Sequence, residues 1–154
     1  MPVIPPRVLC VDDDEDSRVM LVTLLGYGLI KATAVGTADQ ALSLIQSERF
    51  DLYLTDARLP RLDGFELCRR IRNLDQSTPI VFFSGAAYAA DKIKGIEAGA
   101  NCYVTKPDIQ DLLRCVKQFV SFVESPIAEH IPTRREISTV RRSPFSVGEP
   151  LYVG

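Results

Sequence analysis

The chain has 154 residues, enough for one hydrophobic core and short of what two ordinary domains need. Its 18 basic and 20 acidic side chains leave a net charge of −2, which excludes a general electrostatic attraction for nucleic acid. The start, Met1-Pro2-Val3-Ile4-Pro5-Pro6-Arg7, lacks the pattern of an export signal, and the longest apolar run, Val19 to Ile30, is broken by Thr23, Gly26 and Gly28 below the ~20 residues a bilayer needs, so a cytoplasmic protein with no membrane segment is expected.

Residues 7 to 11 form a continuous apolar run, the pattern of a strand covered on both faces, and it ends in Asp12-Asp13-Asp14. Asp14, Glu15 and Asp16 precede Val19, Val22 and Leu25 at helical spacing, so part of this acid run is a helix cap. Gly26 and Gly28 stop that helix, and Lys31 to Ala34 or Val35 predict a short, weaker edge strand. Thr37 with Gln40 forms a capping pattern ahead of Ala38, Ala41, Leu42 and Ile45 on one helical face. The third strand, Asp51 to Thr55, delivers Asp56 to its end. Leu59-Pro60 and Asp63-Gly64 then hold a loop, and Phe65, Cys68 and Ile71 mark a helix that Asp63 and Glu66 open.

Pro79 opens a fourth strand, Ile80 to Phe83, which closes in Ser84-Gly85-Ala86. The helix from about Ala89 to Ala98 is the weakest, anchored only by Ile93 and Ile96, with Gly95 inside and Gly99 as its stop. Asn101 to Thr105 predict the fifth strand, ending in Lys106-Pro107. Asp108 caps a last helix with Ile109, Leu112, Leu113, Val116, Phe119, Val120 and Val123 on one face. Cys10, Cys68, Cys102 and Cys115 sit inside apolar patterns without ligand spacing and read as small buried hydrophobes, kept reduced. From Pro126 the composition changes: prolines recur between Arg134-Arg135 and Arg141-Arg142, which predicts an extended or disordered tail over 126–154 behind a domain of 1–125.

Five strand-helix units with right-handed crossovers make an α/β, doubly wound parallel sheet with helices on both faces. Ligands of such sheets bind at the carboxyl ends of the strands. Asp12, Asp13, Asp56, Ser84 and Lys106 would meet there. Crowded carboxylates repel unless a cation sits among them, and hard oxygen ligands with room for water suit Mg2+. Adding Lys106 and Ser84 yields a set able to stabilise a phosphoryl group in transfer, with a carboxylate as nucleophile.

Val11-Asp12-Asp13, Asp56 with Leu59-Pro60 and Asp63-Gly64, Ser84-Gly85-Ala86, Tyr103 and Lys106-Pro107 together resemble the receiver domain of two-component response regulators, over positions 7 to about 123. The resemblance implies a flavodoxin-like strand order 2-1-3-4-5 and a stand-alone, chemotaxis-regulator-like receiver. It implies Asp56 as phosphoacceptor from a sensor histidine kinase or phosphotransfer protein. Mg2+ would be held by Asp12, Asp13, Asp56 and the backbone carbonyl of Arg58, with Lys106 on the phosphoryl oxygens and a cis Lys106-Pro107 bond. Ser84 would turn toward the phosphoryl group while Tyr103 moves from exposed to buried, remodelling the face of the fourth helix, fifth strand and fifth helix.

That face could bind a downstream protein target or a second copy of the chain; no DNA-binding domain is expected, since the tail is too short for one. Such a protein is no enzyme beyond its own phosphorylation and dephosphorylation. Arg58 and Ala86 occupy places that tune phosphoryl lifetime in this family. Two rival readings are a phosphate-independent receiver-like binding module and a haloacid-dehalogenase-type phosphatase with Asp12-x-Asp14 as its nucleophile motif.

Overall fold

The computed structural model describes residues 3–120 and 123–124. Twelve elements follow in chain order: β1 (Val3–Ile4), β2 (Arg7–Val11), α1 (Glu15–Tyr27), β3 (Lys31–Val35), α2 (Ala38–Ser47), β4 (Leu52–Thr55), α3 (Gly64–Leu74), β5 (Ile80–Ser84), α4 (Ala89–Ala98), β6 (Cys102–Thr105), α5 (Ile109–Phe119) and β7 (Val123–Glu124). Residues 5–120 form one unit around a five-stranded sheet in the order β3-β2-β4-β5-β6, every pair parallel. Counted along this sheet alone the order is 2-1-3-4-5, as expected. In a separate unit, β1 pairs antiparallel with β7, Val3 opposite Glu124.

Strand alternation sorts the core into two layers. Leu9, Val11, Tyr53, Ile80 and Phe82 face α2, α3 and α4 through Ala41, Phe65, Cys68, Ile71 and Ala98. Val8, Cys10, Leu52, Leu54, Val81, Phe83 and Val104 face α1 and α5 through Leu21, Leu25, Leu112, Cys115 and Val116. The central strands β4 and β5 are buried along their whole length, which is why they read as unbroken apolar runs.

Four helices begin where side-chain caps were read. Asp14 accepts from the Ser17 amide, Thr37 from Gln40, Asp63 from Glu66 and Asp108 from Asp111. The Ser17 bonds hold the Asp14 carboxyl below the usual carboxylate range.

Several expectations change. Val19 and Val22 face outward, and Leu21 with Leu25 fills the core from α1. In α4 the expected anchors Ile93 and Ile96 are 56% and 51% exposed, whereas Gly95 and Ala98 face inward. The reason lies in β6: a Cβ on Gly95 would stand 2.8 Å from Cδ2 of Tyr103, so the glycine is what lets α4 approach. The last helix stops at Phe119 with Val120 extended, and Val123 belongs to β7. β-branched residues favour that conformation.

Cys10 and Cys68 are free and buried as read, but Cys102 is joined to Cys115 in a disulfide. The packing of α5 on β6 brings together two residues with no recognisable spacing. The expected tail over 126–154, and His130 with it, lies outside the described residues. No described helix is long and apolar enough to cross a membrane.

Candidate phosphoryl-transfer site

Four strands of the parallel sheet end at one rim, and each leaves a polar side chain there. The ladder continues past the strands: the Asp12 amide donates to the Val35 carbonyl (3.0 Å), Asp56 to Val11 (2.9 Å) and Lys106 to Ser84 (2.9 Å). Backbone pairing thus fixes where Asp12, Asp56 and Lys106 leave the sheet. Beneath Asp56 the chain doubles back so tightly that a Cβ on Gly64 would lie 1.9 Å from the Asp56 carbonyl oxygen. The Asp63-Gly64 turn therefore packs against the backbone of the acid itself.

Asp12 and Asp56 are only 2% and 8% exposed. Lys106 Nζ donates to Asp12 Oδ2 at 2.8 Å and to Asp56 Oδ2 at 2.9 Å, bridging the two. The other Asp56 oxygen accepts from the Ser84 hydroxyl at 2.6 Å and from the Arg58 amide at 3.1 Å. Burial alone would depress the Lys106 pKa, but the hydrogen bonds to Asp12 and Asp56 outweigh it and hold the ammonium above its ordinary range. Its charge is therefore secure at neutral pH.

One ammonium faces three carboxylates here. Asp12, Asp13 and Asp56 each offer an oxygen within 4.8 Å of the others, Asp13 from the exposed side. Hard oxygen donors, an excess of negative charge and one open flank fit a small divalent cation such as Mg2+. Asp14 takes no part, because its carboxylate caps α1 through the Ser17 amide. That occupation weakens the dehalogenase-type reading, in which Asp14 would belong to the reacting pair.

Ser84 and Tyr103, read as residues that move, already stand inward. The Ser84 hydroxyl is buried on Asp56, and Tyr103 is half-buried with its hydroxyl donating to the Ala86 carbonyl at 2.5 Å. The Tyr103 ring stacks on Phe82 at 5.3 Å between centroids, and Phe82 stacks on Phe65 at the same distance. The Ala86 amide donates to Ser84 Oγ at 3.1 Å, so one short loop links the hydroxyl on Asp56 to the tyrosine. The Lys106-Pro107 peptide is cis. Arg58 is exposed, and its guanidinium has no hydrogen-bond partner among the described residues.

Two contributors were not read from the sequence. Arg18 donates from Nη1 to the Asp12 carbonyl at 2.8 Å, pinning the acidic loop from α1, and Gly95 provides the slot for Tyr103. A lone arginine in a helix and a glycine that looks like a helix fault carry no signal until their neighbours are known.

The fold and this rim define a class, the α/β receiver-type signalling domains. Residues 8–117 match the response regulator receiver domain model, and the chain belongs to that family. Among curated proteins it is 41% identical over 103 residues to the transcriptional regulatory protein AfsQ1 of Streptomyces coelicolor, covering 66% of this chain and 45% of that one. It is 35% identical over 103 residues to the response regulator MprA of Mycolicibacterium vanbaalenii, covering 67% and 45%.

Among solved structures, the chemotaxis response regulator CheY4 of Vibrio cholerae superposes with a TM-score of 0.71 at 26% identity, covering 76% of this chain and all of that one. The receiver domain of sensor histidine kinase PA1611 of Pseudomonas aeruginosa gives 0.69 at 28% identity, over 75% of this chain and 98% of that one. It was solved with a magnesium ion coordinated in its active-site cleft.

These relatives correct one expectation. The absence of a DNA-binding domain was read from chain length, yet this chain spans under half the length of curated relatives, one of them named a transcriptional regulatory protein. Length therefore decides neither that point nor whether the receiver stands alone. The protein-target and homodimer readings came from the switch face that the resemblance implied, and they are not carried further.

Proposed function

We propose that Asp56 accepts a phosphoryl group in a Mg2+-dependent reaction and that the resulting acyl phosphate is the signal this receiver carries. The observation that carries the reading is the single ammonium of Lys106 bridging Asp12 and Asp56, with the Ser84 hydroxyl on the second oxygen of Asp56. A carboxylate oxygen of Asp56 attacks phosphorus, the bond from phosphorus to the donor breaks, and an aspartyl phosphate forms. The donor is a phosphohistidine on a sensor histidine kinase or phosphotransfer protein, or a small acyl phosphate.

Asp12, Asp13, Asp56 and the Arg58 carbonyl would hold Mg2+, which would neutralise charge on the phosphoryl oxygens. Lys106, released from its carboxylate bridge, pairs with a phosphoryl oxygen, and Ser84 donates to another. Both side chains already lie within hydrogen-bond distance of Asp56, so little rearrangement is required. Ser84 and Tyr103 then report the acyl phosphate to the surface of α4 and β6, through the Ala86 loop. The same residues then catalyse hydrolysis of that acyl phosphate, which ends the signal.

The test is intact-protein mass after incubation with acetyl phosphate and Mg2+, beside Asp56→Asn and a metal-free sample. One phosphoryl adduct that requires both Asp56 and Mg2+ is expected. An adduct of equal yield on Asp56→Asn, or none where a control receiver is labelled, overturns the reading.

A further inference from the structure

We propose that Cys102 and Cys115 form a reversible dithiol–disulfide pair that ties β6 to α5. The inference does not rest on the phosphoryl-transfer reading. Cys102 opens β6, and strand alternation turns it toward α5, opposite to its neighbour Tyr103. Cys115 lies in the middle of α5, between Leu112 and Val116 on its buried face. The two Cα atoms are 6.9 Å apart, at the outer reach of a disulfide, and the two sulfurs are joined. Closing the bond draws strand and helix together, and reduction lets them part.

The other two cysteines, buried like Cys115, have no sulfur partner. Cys10 and Cys68 are buried and unpaired, and burial pushes their thiols up to about 12 and about 11. Such thiols are inert at neutral pH. Cys102 is partly exposed, and so within reach of a small reagent. Cys115 is itself buried, with Nη2 of Arg114 3.7 Å from its sulfur, so a reagent reaches it only by way of Cys102. An accessible first thiol with a second held beside it is what two-step exchange requires.

The oxidant is a low-molecular-weight disulfide, RS–SR. The Cys102 thiolate attacks one sulfur, forming a mixed disulfide and expelling RS−. The Cys115 thiolate then attacks Cys102 Sγ, closing the pair and expelling a second RS−. The two protons given up by the cysteines end on the two RS− leaving groups, and excess RSH runs both steps backward. The bond spans the strand that carries Tyr103 and runs into Lys106, so the redox state of the pair sets how freely that strand moves against α5.

The test equilibrates the full chain, natively folded, with graded ratios of reduced and oxidised glutathione, then quenches by alkylation under denaturing conditions and reads intact mass. At the oxidising end, exactly the thiols of Cys102 and Cys115 should escape alkylation, with no glutathione retained. Peptide mapping should place the crosslink between them, and reductant should reverse it.

Cys102→Ser, a change at the partly exposed partner, should leave circular dichroism unchanged and abolish closure. Cys115→Ala should instead trap glutathione on Cys102. Glutathione retained on native Cys102, full alkylation at every ratio, a crosslink involving Cys10 or Cys68, or closure that persists in Cys102→Ser overturns the proposal.

Discussion

The two ends of the sheet handle charge in opposite ways. At the carboxyl rim, Asp12, Asp13 and Asp56 gather beside one ammonium that bridges only Asp12 and Asp56, and those two carboxylates are buried. At the amino end of β5, Asp75 accepts from the Ser77 amide and hydroxyl, the Thr78 amide and hydroxyl, and the Tyr53 hydroxyl. Beside it Arg72 donates to the carbonyls of Gly99, Asp75 and Thr78 and to Asn101 Oδ1. Arg72 and Asp75 are thus both answered within the chain. A saturated network ties elements together, whereas an unbalanced one is held ready for a cation and an anion from outside.

That contrast can be broken, beginning with the backbone that supports the functional rim. Gly64→Ala would place a Cβ 1.9 Å from the Asp56 carbonyl oxygen. Overpacking against backbone should cost about 3 kcal/mol or more in urea unfolding and displace Asp56, so labelling by acetyl phosphate should fall with stability. A stable, fully labelled variant would show that the loop has room to yield.

Arg72→Ala should cost roughly 1–2 kcal/mol, since half-buried carbonyls at the structural end lose their donor. The rate of phosphoryl uptake per folded molecule should not change. Asp56→Asn should do the reverse: it relieves crowding among carboxylates and should raise stability by about 1 kcal/mol in the absence of Mg2+ while abolishing the adduct. Added Mg2+ should raise the Tm of the native chain and leave that of Asp56→Asn nearly unchanged. Loss of stability in Asp56→Asn would mean that the Lys106 bridge dominates and that the rim is structural after all.

The smallest effect is in acid. Burial would raise the Asp75 carboxyl, but its hydrogen bonds from Thr78, Ser77 and Tyr53 outweigh it and bring it to about 2. A group depressed on folding contributes stability above its unfolded value, and that contribution is lost as pH falls through the folded one. Stability should therefore decline between about pH 4 and pH 2, and the decline should be shallower in Asp75→Asn. An unchanged slope would remove Asp75 from the acid response.

Much of the site was legible because its residues follow directly on strand ends. Asp12, Asp56, Ser84 and Lys106 each terminate or follow an apolar run, and such punctuation survives without knowledge of the fold. The helix faces were less legible. Ile93 and Ile96 are larger than Gly95 and Ala98 and would win any ranking by hydrophobicity, yet they point outward because Tyr103, from another strand, occupies the space beneath α4. In α1, Leu25 is buried as read, while Leu21 rather than Val19 or Val22 joins it in the core. Arg18 looks like any surface cation until the Asp12 carbonyl is seen in front of it.

The amino-acid sequence by itself determined the order of strands and helices, the caps at Asp14, Thr37, Asp63 and Asp108, and which side chains stand at strand ends, because each depends on neighbours a few residues away. Only the tertiary structure decided that Lys106 reaches Asp12 across 94 positions and Asp56 across 50, that α4 lies on a glycine, and that Cys102 meets Cys115. Those outcomes depend on which strands pair and how each helix is rotated against the sheet, and both are set by packing between residues far apart in the chain.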